Sequence, residues 1–346
     1  MSSVPAGALQ QAVRRLAFGE SLSADEIAAA FGVVMRGEAT PAQTGALLMA
    51  LRVKGETPDE VAGVARALRE AMVQLPAADP GTLVDTCGTG GGAVTTFNIS
   101  TAAALLAAGA GVRIAKHGNR SFTSRCGSAD VLEGLGVPIE APLATMECAL
   151  ETAGIVFMYA PQMHPAMKHV GPVRRELGIP TVMNIVGPLA NPASAGRQVV
   201  GVAEARRVPL IAGALSALGS AHALVVHGEP GLDEISPLGP TQVVEVRGDV
   251  QHEWTIDPAA LGFATTTPDE LAGGDPADNA RIIEAVLGGH APRGAAAAVV
   301  LNAAAAIYLA GLAPTYAGSV DLARQALAAG EGMRALDRLR AAYRVR

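Results

Sequence analysis

Apolar positions in the first 75 residues recur at helical spacing: Ile27, Phe31 and Val34, then Leu47, Leu48 and Leu51, then Val61, Val64, Leu68 and Met72. Each stripe follows a start signal, because Ser23-x-x-Glu26, Thr40-Pro41-x-Gln43 and Thr57-Pro58-x-Glu60 are capping boxes, two of them with proline at the first helical position. Short helices with one apolar face are marginal alone, so this segment must pack on itself or on a partner. After a Pro/Gly-containing crossing at 77–82, short apolar runs alternate with helical stretches, the sign of α/β architecture. The strands predicted by this pattern are 83–84, 112–115, 155–159, 181–185, 199–203 and 223–226, with 241–246 and 251–256 close enough for an antiparallel pair. The expected fold is a small α-helical domain, residues 1–76, beside a larger α/β domain, residues 77–346, with a mostly parallel central sheet.

Residues 294–312 are nearly uncharged and about long enough to cross a bilayer. They are largely alanine, with Asn302 in the middle, which predicts a buried helix behind the sheet. Residues 320–346 alternate apolar and charged positions at helical spacing and predict a surface helix. Half of the 346 residues are hydrophobic but only 3% are aromatic, so the core must be built from small aliphatic side chains. The formal charge of −6 contains no basic stripe and argues against nucleic-acid binding. Cys87, Cys126 and Cys148 form no C-x-x-C pair and fit the reduced thiols of a cytoplasmic protein better than a disulfide or zinc framework. The first residues lack a secretory pattern, and no membrane association is expected.

Chemistry concentrates between residues 83 and 133. The first apolar run ends in Asp85 and leads into Gly88-Thr89-Gly90-Gly91-Gly92, after which Asn98-Ile99-Ser100-Thr101 opens an alanine-rich run of helical length. The second apolar run ends in Lys116-His117-Gly118-Asn119-Arg120. Two strand ends thus deliver polar, glycine-containing loops to one edge of a sheet, where open α/β folds bind ligands. Consecutive glycines let backbone N–H groups close on an anion, and a helix N-terminus adds its dipole. Asn98, Ser100 and Thr101 add amide and hydroxyl groups, while Lys116 and Arg120 add positive charge, which suits a substrate with more than one phosphate. Gly88-x-Gly90-x-x-Ala93 also satisfies the dinucleotide fingerprint. That motif starts its helix within the glycine turn and ends the next strand in an acid, neither of which holds here, so a nicotinamide cofactor is disfavoured. A glycine turn without a ligand would leave the second loop unexplained.

Two further stretches carry chemistry. Residues 159–175 contain His164, His169, Arg174 and Arg175, and histidines at this separation fit no helical metal motif. The stretch is either a solvated basic helix face or the source of one arginine that meets a planar carboxylate in a two-pronged bond. Residues 228–236 bring Asp233 beside Glu234 directly after the run 223–226. Such a pair is either a solvated turn or a cation site, and the glycine loop favours magnesium, which binds through few carboxylates together with waters and phosphate oxygens.

The ordered set CGTGG, NIST, KHGNRS, GSADVLEGLG, the HP…GPVRRELG run, NIVGPLANP and GLDE resembles the anthranilate phosphoribosyltransferases over nearly the whole chain. The resemblance implies the two-domain fold shared with nucleoside phosphorylases, helices near 165–180 joining the helical domain in space, and a homodimer formed through that domain. It implies transfer of the 5-phosphoribosyl group from phosphoribosyl pyrophosphate to the amine of anthranilate, the second step of tryptophan synthesis. The donor would be held by Gly88, Gly91, Gly92, Thr96, Asn98, Ile99, Ser100 and Thr101, by Lys116, His117, Gly118, Asn119, Arg120, Ser121, Phe122, Thr123 and Ser124, and by Ser128. Gly88, His117, Asn119, His164 and Arg174 would line the anthranilate side, and Ser100, Asp233 and Glu234 would hold magnesium, with two ions expected.

Where the family usually has an aspartate after the second glycine pair, this chain has Gly92. The absence of a clear nucleophile or triad fits a reaction driven by positioning and charge stabilisation, with His117 the candidate for taking the amine proton. A pyrimidine nucleoside phosphorylase would share the fold, but its loops differ from KHGNRS and GLDE. A catalytically silent nucleic-acid-binding relative would need a basic surface.

Overall fold

The structure is a computed structural model that describes residues 7–121 and 125–344. Four helices open it: α1 (Ala8–Ala17), α2 (Ala24–Met35), α3 (Pro41–Lys54) and α4 (Pro58–Ala71). All three capping boxes form, with Ser23, Thr40 and Thr57 accepting from the N–H three residues on and Glu26, Gln43 and Glu60 returning the bond. Helix α1 has no such signal, since Gly7 precedes it in a left-handed conformation without a side-chain cap. Glu60 does more than cap: its buried carboxylate also accepts from Leu22 N at 3.0 Å and Lys54 Nζ at 2.9 Å, tying α2, α3 and α4 together.

The strands are β1 (Val84–Gly88), β2 (Ile114–Gly118), β3 (Ile155–Tyr159), β4 (Arg197–Gly201), β5 (His222–Gly228), β6 (Thr241–Arg247) and β7 (Val250–Ile256). They form one sheet of order β3-β2-β1-β4-β5-β6-β7, parallel through β5 and closed by the antiparallel pair read from the sequence. The chain moves outward from β1 to β3 and then returns to place β4 on the other side of β1, so a ligand crevice opens at the carboxyl end of β1. The expected strand at 181–185 is instead a 3-10 turn, Val182–Asn184. Thr181 Oγ1 accepts from Met183 N at 3.3 Å and Asn184 Oδ1 from Thr181 N at 3.0 Å, and these local bonds replace a strand ladder.

The remaining helices are α5 (Ile99–Gly109), α6 (Ser128–Gly134), α7 (Leu143–Ala153), α8 (Ala160–Met163), α9 (Gly171–Leu177), α10 (Val208–Ala217), α11 (Pro276–Leu287), α12 (Arg293–Ala310), α13 (Tyr316–Ala328) and α14 (Glu331–Arg344). Alternation along β5 feeds two cores: Leu224 and Val226 pack with α5, α12 and α14, while Ala223 and Val225 pack with α10 and the N-terminal helices. Val173 of α9 joins the second core. The apolar helix α12 is buried behind the sheet, as its alanine content and central Asn302 predict. The single surface helix expected over 320–346 is two helices broken at Gly330, which has φ 71°. Leu336 and Leu339 of the second are fully buried, because its apolar face packs on α5 and α7. Near its end Tyr343 reaches the edge strand β3, where its hydroxyl donates to Phe157 O at 3.0 Å and accepts from Phe157 N at 3.2 Å.

Candidate functional site

Three loops meet at the carboxyl ends of β1, β2 and β5. The first is the glycine loop after β1, in which Gly90 and Gly91 take φ of 73° and 81°, a region open to glycine at little cost. The third, after β5, carries Asp233 and Glu234 against that glycine loop and the helix that follows it. Asp233 Oδ2 accepts from Gly90 N at 2.7 Å, and Glu234 Oε1 accepts from Ser100 N at 3.1 Å, at the start of α5. A Cβ on Gly88 would lie 2.5 Å from Asp233 Oδ2, and one on Gly201 would overlap the Asp233 carbonyl, so glycine at both positions lets the acidic turn close. A Cβ on Gly92 would stand 3.3 Å from Asp233 Oδ1, so an aspartate there would add a carboxylate against Asp233. Asn302 holds the turn from behind: Oδ1 accepts from Ile235 N and Nδ2 donates to Ile235 O, each at 2.9 Å.

Electrostatics follow from this crowding. Withdrawal from water, then the charge of Asp233, push the Glu234 carboxyl up to about 8. Burial likewise raises Asp233. Lys116 lies among them on β2, buried, its Nζ donating to Thr86 O at 2.5 Å and to Ser100 Oγ at 3.4 Å. Burial lowers its pKa against the opposing charge of the fully buried Asp85. Thr101 Oγ1 is buried and without a hydrogen-bond partner among the described residues. Ile99 offers no side chain to a ligand, since it packs in the core. Thr96 is half-buried beside Gly273, where a Cβ would come 2.6 Å from the Thr96 carbonyl. Asn98 braces rather than caps, bonded to the Cys126 carbonyl at 3.1 Å and to Asn279 at 2.9 Å.

The second loop is braced as well. Gly118 abuts Ser128, whose hydroxyl donates to Asn119 O at 3.3 Å, and Asn119 Oδ1 accepts from Arg120 N at 2.7 Å. Arg120, expected as a donor cation, is engaged by Asp130 at 2.8 Å and Glu133 at 2.6 Å. Asp130 also accepts from Ser121 N at 3.1 Å. Phe122, Thr123 and Ser124 lie outside the described residues. Of the two expected donor cations, Lys116 is the one without an ion-pair partner within salt-bridge distance among the described residues.

On the acceptor side, His117 and His164 are brought together with Nε2 to Nε2 at 3.2 Å. Burial, then the neighbouring His164, lower His117 to about 3, and burial lowers His164 to about 4. Both rings are neutral near pH 7. Arg174 on α9 is half-buried, its pKa lowered by burial, and its guanidinium has no hydrogen-bond or ion-pair partner among the described residues. Arg175 is exposed. An unpaired, partly desolvated guanidinium is a ready carboxylate receptor.

Residues 80–333 match the glycosyl transferase family, a/b domain, and residues 10–72 its helical bundle domain. The anthranilate phosphoribosyltransferase of Rubrobacter xylanophilus is 51% identical over 330 residues, covering 95% of this chain and 96% of that one. This chain belongs to the anthranilate phosphoribosyltransferase family. The crystal structure of the Thermus thermophilus family member superposes with TM-score 0.91 at 43% identity, covering 96% of this chain and 99% of that one. The Saccharomyces cerevisiae member in complex with PRPP and Mg superposes with TM-score 0.88 at 26% identity, covering 98% and 99%. The two-domain fold expected from the resemblance is thus the fold of the family.

Asp85, Thr86, Asp130 and Asn302 escaped the sequence reading as site residues. Asp85 left one signal, a carboxylate closing an apolar strand run.

The two depressed histidines set a pH dependence. In the unfolded chain they protonate near pH 6.5, whereas in the fold they resist until about 4 and about 3. Their contribution to stability is full above pH 6.5 and is lost as pH falls through that window. Denaturant melts between pH 7.5 and 4.5 are expected to show the loss, and His164→Gln to make it shallower. A slope identical to the parent's would mean that His164 is charged or solvated in the fold.

Proposed function

We propose that this protein transfers the 5-phosphoribosyl group of phosphoribosyl pyrophosphate to the amine of anthranilate, giving N-(5-phosphoribosyl)anthranilate and pyrophosphate in tryptophan biosynthesis. The observation that carries this function is the meeting of Asp233 and Glu234 with the glycine loop and the start of α5. The backbone amides of Gly91 and Gly92, which have no hydrogen-bond partner among the described residues, the buried Thr101 hydroxyl and Lys116 form an anion receptor for the donor. Ser100, Asp233 and Glu234 suit magnesium, one ion or two: they offer a hydroxyl and two carboxylates, and a cation would relieve the strained ionisation of Glu234. When bound, magnesium supplies positive charge against the pyrophosphate leaving group.

Arg174 orients the acceptor through its carboxylate, while Gly88, His117, Asn119 and His164 line its other side. The arylamine is already neutral at pH 7 and attacks C1 as the bond to pyrophosphate breaks. The neutral His117–His164 pair is the place for the proton released from nitrogen. Residues 1–76 with the helices near 165–180 form a helical unit beside the donor-binding part, 77–346. Two large apolar side chains on that unit, Phe18 and Val53, are 82% and 79% exposed, which supports a homodimer formed through it. The free thiols of Cys87 and Cys148 fit a cytoplasmic enzyme.

Loss of anthranilate fluorescence is expected only when both phosphoribosyl pyrophosphate and magnesium are supplied. Phosphorolysis of thymidine or uridine without anthranilate turnover would overturn the assignment. Arg174→Ala is expected to raise the KM for anthranilate by roughly ten- to a hundredfold, the value of a charge-assisted hydrogen bond. An unchanged KM would move the carboxylate contact to another group, Arg175 first. Asp233→Ala with Glu234→Ala should leave a folded protein whose turnover collapses and whose magnesium requirement rises; near-parent magnesium dependence in that folded double variant would refute the metal site.

A further inference from the structure

The NIVGPLANP segment, residues 184–192, has no task in the donor, metal or carboxylate contacts described so far. Its second 3-10 turn, Gly187–Leu189, is followed by Asn191, which is 2% exposed and uses every polar position of its amide. Nδ2 donates to Asp85 Oδ2 at 2.7 Å and to the Ala115 carbonyl at 2.8 Å, and Oδ1 accepts from Ala193 N at 2.9 Å. Asp85 turns its other oxygen to the backbone N–H of His117 at 3.2 Å. The segment is thereby fastened to β1 and β2 together. Just before Asn191, the carbonyls of Gly187 and Ala190 favour the protonated rings of His117 and His164 against the larger effect of burial.

We infer that Asp85 and Asn191 are positioning residues for the acceptor half of the site, clamping the 184–192 segment to β1 and to the backbone of His117 on β2 so that the His117–His164 ring pair keeps its tilt and tautomer. The inference rests on the phosphoribosyl transfer to anthranilate proposed above. Three physical points support it. A wholly buried carboxylate is costly, and besides countering the charge of Lys116 it spends both oxygens on bonds that set the geometry of neighbouring segments. Only a carboxylate offers acceptors on both sides: an amide at position 85 would turn an NH2 group toward either Asn191 Nδ2 or the His117 N–H. Finally, the two rings meet through Nε2 atoms at 3.2 Å, a contact that needs one nitrogen to donate and the other to accept. The His117 end of that contact is held through its backbone N–H by Asp85, which Asn191 fixes in turn.

Asn191→Ala is the cleaner test, because it leaves the contacts of Lys116 with Thr86 and Ser100 in place. Asn191→Leu removes the same bonds with a side chain of the same branched shape, leaves Asp85 beside Lys116, and serves where the first variant does not fold. Each full-length variant would be measured by steady-state kinetics with either substrate varied, and by NMR of the histidine ring nitrogens in the free protein. The expected result is a rise of about tenfold or more in the KM for anthranilate, a KM for phosphoribosyl pyrophosphate within about threefold of the parent, and displaced ring signals for both histidines. Parallel rises in the two KM values, or a lowered melting temperature with neither KM changed, would reduce the pair to a structural role and overturn the inference. If the parent enzyme itself consumed no anthranilate, the function would fall, and the ring signals would decide the clamp alone: unchanged signals refute it, displaced signals sustain it.

Discussion

An ammonium group inside a sheet must be held on every side, and Lys116 sets the terms for the structure around it. Burial works against its charge, and the opposing charge of Asp85 restores it. The nitrogen then requires acceptors, which come from the Thr86 carbonyl and the Ser100 hydroxyl. Those two demands fix β1 beside β2 and draw the start of α5 over both. Asp85 in turn cannot stay ionised unless its oxygens are satisfied, which brings in His117 and Asn191. One buried cation therefore ties the strand before the glycine loop and the start of α5 to His117 and the 184–192 segment.

The acidic turn answers a different constraint. Two adjacent carboxylates repel and resist burial, so the fold must hold them against their preference for water. It does so with missing side chains on Gly88 and Gly201 and with the amide of Asn302. A polar residue in the middle of an alanine-rich helix is costly unless bonded, and here its bonds go to the residue next to Glu234. The helix that most resembles a membrane span is thus the backing plate of the charged site.

What could be read in the sequence was what is written locally. Capping boxes, glycine turns and alternating runs each lie within a few residues, and they gave α2, α3 and α4, the five parallel strands, the final hairpin and the two loops that meet at the crevice. Asp85 and Asn191 were not readable as a pair, because their partnership spans 106 positions. The stretch 181–185 looked like a strand because its apolar residues outvoted Thr181, whose hydroxyl bends the chain into a turn. Arg120 looked like a free cation, since nothing local reveals that Asp130 and Glu133 come round one helix to meet it.

The bond between Tyr343 and Phe157 has a consequence in time. Strand β3 is an outer strand of the sheet, and an uncovered outer strand is a template for pairing with another chain. Its guard is encoded 186 positions later, almost at the end of the chain. At a ribosomal rate of roughly 5–20 residues per second, the strand waits about ten to forty seconds for its cover. During that interval the nascent protein is open to aggregation at one edge, and shortening the last helix would make that exposure permanent.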